Sequence, residues 1–187
     1  MRIMLLTAGT RGDVEPFFAL ARATAARGHV VRTAIPDNSG ADTTALDTVS
    51  LRMDFAQLVS DQGVSPVAAA KAFHNVIRPS VGRLLAAAVE HIIAFNPDVV
   101  AYHPKILSAP GAAERLGVPS VLVETIPSLT ATREFPAPFI TRANLGPLNR
   151  ASYSLAKVAT LMFRQELAGR WKAFRPHPGW CRSGGPR

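Results

Sequence analysis

The chain has 187 residues, 48% of them hydrophobic, enough to bury one sizeable core in a single α/β domain. Its net charge of +8 is uneven: residues 1–140 hold 12 basic and 12 acidic side chains, and residues 141–187 hold nine basic ones against Glu166 alone. No run approaches the ~20 apolar residues of a membrane span, the opening Met1-Arg2-Ile3 does not fit a signal peptide, and the single cysteine, Cys181, excludes an internal disulfide and a cysteine-based zinc site; cytoplasmic residence is expected.

Residues 2–8 form a short apolar run closed by a glycine turn, which predicts a buried strand. A helix is expected over 16–27, with Phe17, Leu20, Ala21, Thr24 and Ala25 on one face, Pro16 in its first turn and Gly28 as its stop. A second strand over 29–35 closes at Pro36. This strand–helix–strand unit implies a right-handed crossover and a parallel pair. Residues 36–50 read as irregular, and 51–55 as a third strand.

Helical periodicity resumes over 65–95 and is interrupted at Pro79. Val81, Leu84, Leu85, Ala88, Val89, Ile92 and Ile93 make the apolar stripe. A strand over 98–102, a helix over 109–116 stopped by Gly117, and a strand over 119–124 follow. The alternation predicts a Rossmann-like, doubly wound parallel sheet in a single domain. Residues 125–146, with Pro127, Pro136, Pro138 and Gly146, form a long connection of the kind that is functional or mobile. A last helix is expected over 149–174, and the closing "RPHPGWCRSGGPR" has no periodic pattern.

Ligands of open parallel sheets collect at the carboxyl ends of the strands. Three segments fall there: Gly9 to Asp13, His103-Pro104-Lys105, and Thr125 to Ser128. The first offers Gly9-Thr10-Arg11-Gly12, which fits neither the dinucleotide fingerprint nor a P-loop. The second strand, ending at Ile35, supplies no acid for a ribose, and Asp37 lies past a proline, so a nicotinamide-dependent enzyme is disfavoured. Asp13 has two readings, a helix cap or a proton acceptor, with Arg11 expected beside its carboxylate. His103 suits proton transfer near neutral pH or a structural place in a loop. His29 reads as structural, while His74 and His91 lack metal-ligand spacing. The basic C-terminal segment suits nucleic acid or an anionic membrane surface by charge. It carries no RNA-binding aromatic signature and no zinc finger, so a solvated face is expected, with no nucleic-acid partner and peripheral membrane contact left open.

"TAGTRGDVEPFFALARATAARGHVV" (7–31) closely resembles the opening of GT-B fold glycosyltransferases of the family 28 and family 1 bacterial branch, which includes sterol, macrolide and glycopeptide glycosyltransferases. "PDVVAYHPKILSAPGAAERLGVPSVL" (97–122) and "FPAPFITRANLGPLNRASY" (135–153) are similar as well. The resemblance covers most of residues 1–175, the expected domain, and leaves 176–187 as an irregular, truncated or non-native tail.

The resemblance implies inverting transfer of a sugar from a nucleotide diphosphate donor to an acceptor hydroxyl, in a cleft between two Rossmann-like domains. The N-terminal domain holds the acceptor and the C-terminal one the donor. In several members the aspartate of the Arg-Gly-Asp loop is proposed as general base, a role that maps onto Asp13. Gly9, Arg11 and Gly12 would shape its loop, and His103, Lys105, Phe135 and Phe139 would line the pocket of an apolar hydroxylated acceptor such as a lipid, sterol or polyketide. The nucleotide diphosphate sugar would be a co-substrate, with no further cofactor and no metal. The family's His-x-Gly-Gly-x-Gly-Thr donor loop has no counterpart here, and the family pattern fades after Trp171. Half of an enzyme is therefore expected, inactive alone, with a donor-binding domain or chain as partner. Its basic C-terminal segment would lead into that partner, which would cover Leu155, Val158, Leu161 and Met162. The rivals are a non-catalytic truncated binding domain and a nucleotide-binding oxidoreductase domain.

Overall fold

The computed structural model describes residues 1–54, 73–127, 130–137, 140 and 143–154. Five parallel strands form one sheet in the order β3-β2-β1-β4-β5. In chain order the elements are β1 (Arg2–Leu6), α1 (Arg11–Ala25), β2 (Val30–Asp37), β3 (Thr48–Asp54), a π-helical turn (Phe73–Ile77) running into α2 (Arg78–Phe95), β4 (Val99–Tyr102), α3 (Ala109–Leu116) and β5 (Ser120–Leu122). The expected Rossmann-like doubly wound sheet is what forms. The chain divides into two compact units, Met1–Ile126 and Pro127–Arg187.

Strand β1 sits in the middle because its side chains are apolar on both faces. Ile3 and Leu5 pack on Phe17 and Ala21 of α1 together with Ala101 of β4. Met4 and Leu6 alternate to the opposite face and are fully buried. Right-handed crossovers place α1 on one face and α2 with α3 on the other, because β1 to β2 moves one way across the sheet and β4 to β5 the other. The direction reverses between β1 and β4. The chain therefore leaves the paired carboxyl ends of β1 and β4 towards opposite faces of the sheet, which opens a crevice above them.

Helix α1 begins at Arg11, five residues before the expected start. Thr10 is the N-cap, with extended backbone, and Asp13 is the third helical residue. The Asp13 carboxylate accepts the Thr10 backbone N–H at 3.0 Å, one half of a capping box. Pro16 lies inside the helix rather than in its first turn. Its ring nitrogen has no hydrogen to give to Gly12, and the helix continues past that one missing bond. Strand β2 also runs further than expected, through Pro36 to Asp37, and its register with β3 slips between Ile35 and Asp37. Pro36 lacks the ladder donor, which locates the slip.

Pro79 does not interrupt a helix; it lies in the first turn of α2, and the π-helical turn precedes it. Residues 65–72 of that expected helix lie outside the described residues. The apolar stripe is buried as read, from Leu84 to Ile93. Helix α3 ends at Gly117, whose φ of +68° is left-handed. Strand β5 covers Ser120–Leu122 of the expected last strand, and the Pro119 carbonyl and Val123 N–H on either side also bond to β4.

In the second unit the described part of the long connection is tied down by two buried side chains. The Asn149 amide donates to the Arg133 carbonyl and to Asn144 Oδ1, and its oxygen accepts the Leu145 N–H. Ser152 Oγ accepts the Ala137 N–H at 2.8 Å and donates to the Asn149 carbonyl. Helix 149–154 starts where the sequence placed it. The rest of the expected helix, with Leu155, Val158, Leu161 and Met162, and the 176–187 tail lie outside the described residues.

Phe17 joins helix to sheet and is fully buried. Phe17→Ala should destabilise the domain by about 3–5 kcal/mol, read as a lowered urea midpoint with an unchanged slope.

Candidate active site

Two loops meet at the carboxyl ends of β1 and β4. After β1, buried Thr7 donates its hydroxyl to the Asp13 main-chain carbonyl at 2.7 Å, pulling the first turn of α1 onto the strand. Gly9 follows with φ +142°, a conformation L side chains rarely adopt. A Cβ there would fall on the Asp13 carboxylate and lie 2.7 Å from Lys105 Nζ. The backbone angle therefore calls for glycine here, and the missing Cβ leaves room for the ends of the Asp13 and Lys105 side chains. Gly12 is different: the nearest atom to an added Cβ is Thr10 Oγ1 at 4.0 Å, an ordinary contact.

After β4, the His103 main-chain N–H extends the ladder to the Leu6 carbonyl at 2.8 Å. Its ring is buried against Phe17, with centroids 6.2 Å apart. The Lys105 backbone N–H donates to His103 Nδ1 at 3.2 Å. An accepting Nδ1 carries no hydrogen, so the neutral ring is protonated on Nε2. That nitrogen faces Asp13 Oδ1 at 3.4 Å. Lys105 Nζ donates to Asp13 Oδ2 at 3.1 Å.

Burial is the main force holding His103 neutral. Together with the Lys105 charge it lowers the ring's pKa from 6.5 to about 4, against the opposing pull of Asp13 and Glu124. The His103–Asp13 contact is thus a neutral N–H facing a carboxylate rather than an ion pair at neutral pH.

The structure brings Gly9, Asp13, His103 and Lys105 together. Arg11 is not beside the Asp13 carboxylate, as expected from sequence; its side chain pairs with Glu15 at 3.0 Å, one helical turn on, and is well exposed. Phe135 is exposed in the second unit. Phe139 and Ser128 lie outside the described residues. Sequence reasoning put Phe17 on the apolar face of the first helix but gave none of Thr7, Thr10 and Phe17 a part in the site. Thr10-Arg11-Gly12-Asp13 has the Ser/Thr-x-x-acid spacing of a capping box, a signal that could have started the helix correctly.

Asp37 does stand at the end of β2, contrary to the reading that stopped this strand at Ile35. It accepts the Ser50 hydroxyl beside a cavity of about 300 Å³ lined by the 35–41 segment and the start of β3. This removes one argument against a dinucleotide. A stronger one replaces it: the end of α1, where a pyrophosphate would sit, is already held by the Asp13 carboxylate. A second anion there would meet like charge.

The profile of the glycosyltransferase family 28 N-terminal domain matches residues 3–143. The chain belongs to that family. Among curated proteins, two sterol 3-beta-glucosyltransferases of Arabidopsis thaliana are 30% and 29% identical to this family 28 chain, over 83% and 74% of it. A sterol 3-beta-glucosyltransferase of Candida albicans is 31% identical over 73% of it. The chain spans 26% and 24% of the two plant relatives and 9% of the Candida one. Among solved structures, the calicheamicin glycosyltransferase CalG4 aligns with 66% of the chain and 32% of its own, at TM-score 0.53 and 22% identity. The glycosyltransferase SnogD of Streptomyces nogalater aligns with 66% of the chain and 33% of its own, at TM-score 0.50 and 23% identity. These two likenesses confirm the fold of the family 28 domain. Among the described residues, no helix is long and apolar enough to cross a membrane.

Two predictions follow from the geometry of this family 28 site. Because the folded His103 binds a proton only near pH 4 and an unfolded one near 6.5, its contribution to stability is complete above about 6.5 and is lost as pH falls towards 4. The stability difference between the parent and His103→Gln should therefore shrink between pH 7 and pH 5, as read by urea midpoints at both. Gly9→Ala should displace the Asp13 carboxylate as well as strain the backbone, costing about 1–3 kcal/mol; an unchanged melting temperature would contradict it.

Proposed function

We propose that this chain is the acceptor-binding part of a hexosyltransferase, with a sterol-like apolar alcohol as the favoured acceptor class. The observation that carries the reading is one carboxylate, Asp13, held at the crevice between β1 and β4 with Oδ2 engaged by two donors. Its Oδ1 has only the longer His103 contact among the described residues. The relatives support the acceptor class by their names, as sterol 3-beta-glucosyltransferases.

An alcohol is a weak nucleophile until a positioned base takes its proton as the new bond forms. Asp13 would act as that base. The acceptor O–H bond breaks towards Asp13, the oxygen bonds to the anomeric carbon of a nucleotide diphosphate sugar, and the sugar–phosphate bond breaks with its electron pair leaving on the diphosphate. The family 28 domain contributes acceptor, base and orientation. The donor would be bound by a further domain or chain, since 187 residues span only about a quarter of the plant relatives.

The 187-residue chain should bind a sterol acceptor and yet transfer no sugar, since the donor must be oriented before a base can help. Transfer by the purified chain above a no-protein control would overturn the half-enzyme reading. Joined to a relative's donor-binding domain, Asp13→Asn should lower turnover by about 10²–10⁴-fold. An asparagine oxygen can still accept the Thr10 N–H, so the melting temperature should change little, with Asp13→Ala as the control that loses the capping contact. Turnover of Asp13→Asn near the parent rate would exclude Asp13 as the base.

A further inference from the structure

Asp13 and His103 occupy the site in a fixed order, the carboxylate outside and the imidazole inside: the side chains are 18% and 3% exposed. His103 has no basic nitrogen to offer. Its Nδ1 lone pair is engaged by the Lys105 N–H, and its Nε2 carries the hydrogen that faces Asp13. The inner residue can orient the carboxylate but cannot take a proton from an alcohol.

Lys105 touches both members of this pair. Its backbone amide fixes the His103 tautomer, and its ammonium lies 3.1 Å from Asp13 Oδ2. The Lys105 side chain is 46% exposed, and an ion pair so open to water adds little to stability. Gly9 nevertheless keeps clear the space that carboxylate and ammonium share: a Cβ would collide with Asp13 and approach Lys105 Nζ to 2.7 Å. A glycine in a conformation closed to other residues, making room for a weakly stabilising pair, points to a geometric role for the pair.

We propose that Lys105 is a positioning residue: its ammonium holds Asp13 by Oδ2, its backbone amide sets His103 as the Nε2–H tautomer, and Oδ1 is thereby left to receive the acceptor proton. This rests on the reading of Asp13 as the base. The proton passes from the acceptor hydroxyl to Oδ1, while Oδ2 keeps its two donors and Lys105 and His103 neither gain nor lose a proton. Lys105 is then no part of the acceptor pocket in the sense expected from sequence. It acts through Asp13.

The imidazole can be observed in the 187-residue chain without turnover. Nitrogen NMR of the labelled protein should show His103 protonated at Nε2 and bare at Nδ1 in the parent, Lys105→Met and Lys105→Arg, because all three keep the amide. The ring's titration midpoint, near 4 in the parent, should rise in Lys105→Met, which loses a repelling charge, and stay low in Lys105→Arg. An Nδ1–H tautomer, or a midpoint indifferent to Lys105→Met, overturns the proposal. In the enzyme completed with a donor-binding domain, Lys105→Met should lower kcat about tenfold with the acceptor KM within about twofold, and Lys105→Arg should restore most of the loss. A raised KM with unchanged kcat would make Lys105 a pocket-lining residue instead, and no change in either would remove it from the mechanism. Melting temperatures of both variants should lie within a few degrees of the parent. Loss of activity in Asp13→Asn alongside a parent-like Lys105→Met overturns the positioning role and leaves the base intact; the reverse result overturns the base.

Discussion

The Thr10 backbone N–H points at the Asp13 carboxylate from 3.0 Å, and this contact joins the fold to the candidate chemistry. It closes the first turn of α1, fixes where the helix starts, and places a negative charge at the positive end of that helix. Thr7 secures the same turn from below through the Asp13 carbonyl. With the main chain of Asp13 pinned at one side and its carboxylate at the other, the side chain has few positions left. Lys105 and His103 reach it from β4, so the crevice between the two central strands is bridged by one carboxylate.

A charge held this way is costly to remove from water unless it keeps several partners. The site meets that demand with donors from main chain, ammonium and imidazole, and it leaves the carboxylate partly open to solvent. His103 illustrates the complementary choice. Its ring is buried on Phe17, where a second charge would be unfavourable, and it stays neutral. One group is charged and reachable, and the other is neutral and enclosed. The asymmetry follows from burial, since Asp13 in the first turn of α1 and His103 just after β4 both lie over the ends of adjacent strands.

Much of this was legible in the sequence. The apolar run of β1, the stripe of α2, the Gly117 stop and the strand–helix alternation gave the sheet and its winding, because each is a local pattern with a direct physical cause. The loop Gly9 to Asp13 also announced itself. What sequence reading misplaced were consequences of proline. Pro16 looked like a first-turn residue and Pro36 like a strand end, yet the chain continues its helix or strand through both. Tertiary packing around Phe17 and pairing with β1 outweigh one missing donor in each case. Arg11 could not be placed by adjacency, since neighbours along a helix point apart while residues four apart meet. The role of Lys105 was hidden for the opposite reason, as it lies 92 residues from the carboxylate it holds.

Pro36 has a further bearing on how the sheet breathes. Strand β3 is an edge, and its ladder with β2 slips at the residue that has no amide hydrogen. Strand β1, bonded on both sides and buried throughout its centre, can release its amides to solvent only when the whole sheet comes apart. The amides of β3 beyond the slip can do so by peeling the edge alone. Hydrogen exchange would thus grade the domain from a slow centre under the carboxylate to a fast margin at Asp54. The proposed proton acceptor would then stand over the slowest-exchanging strand of this sheet.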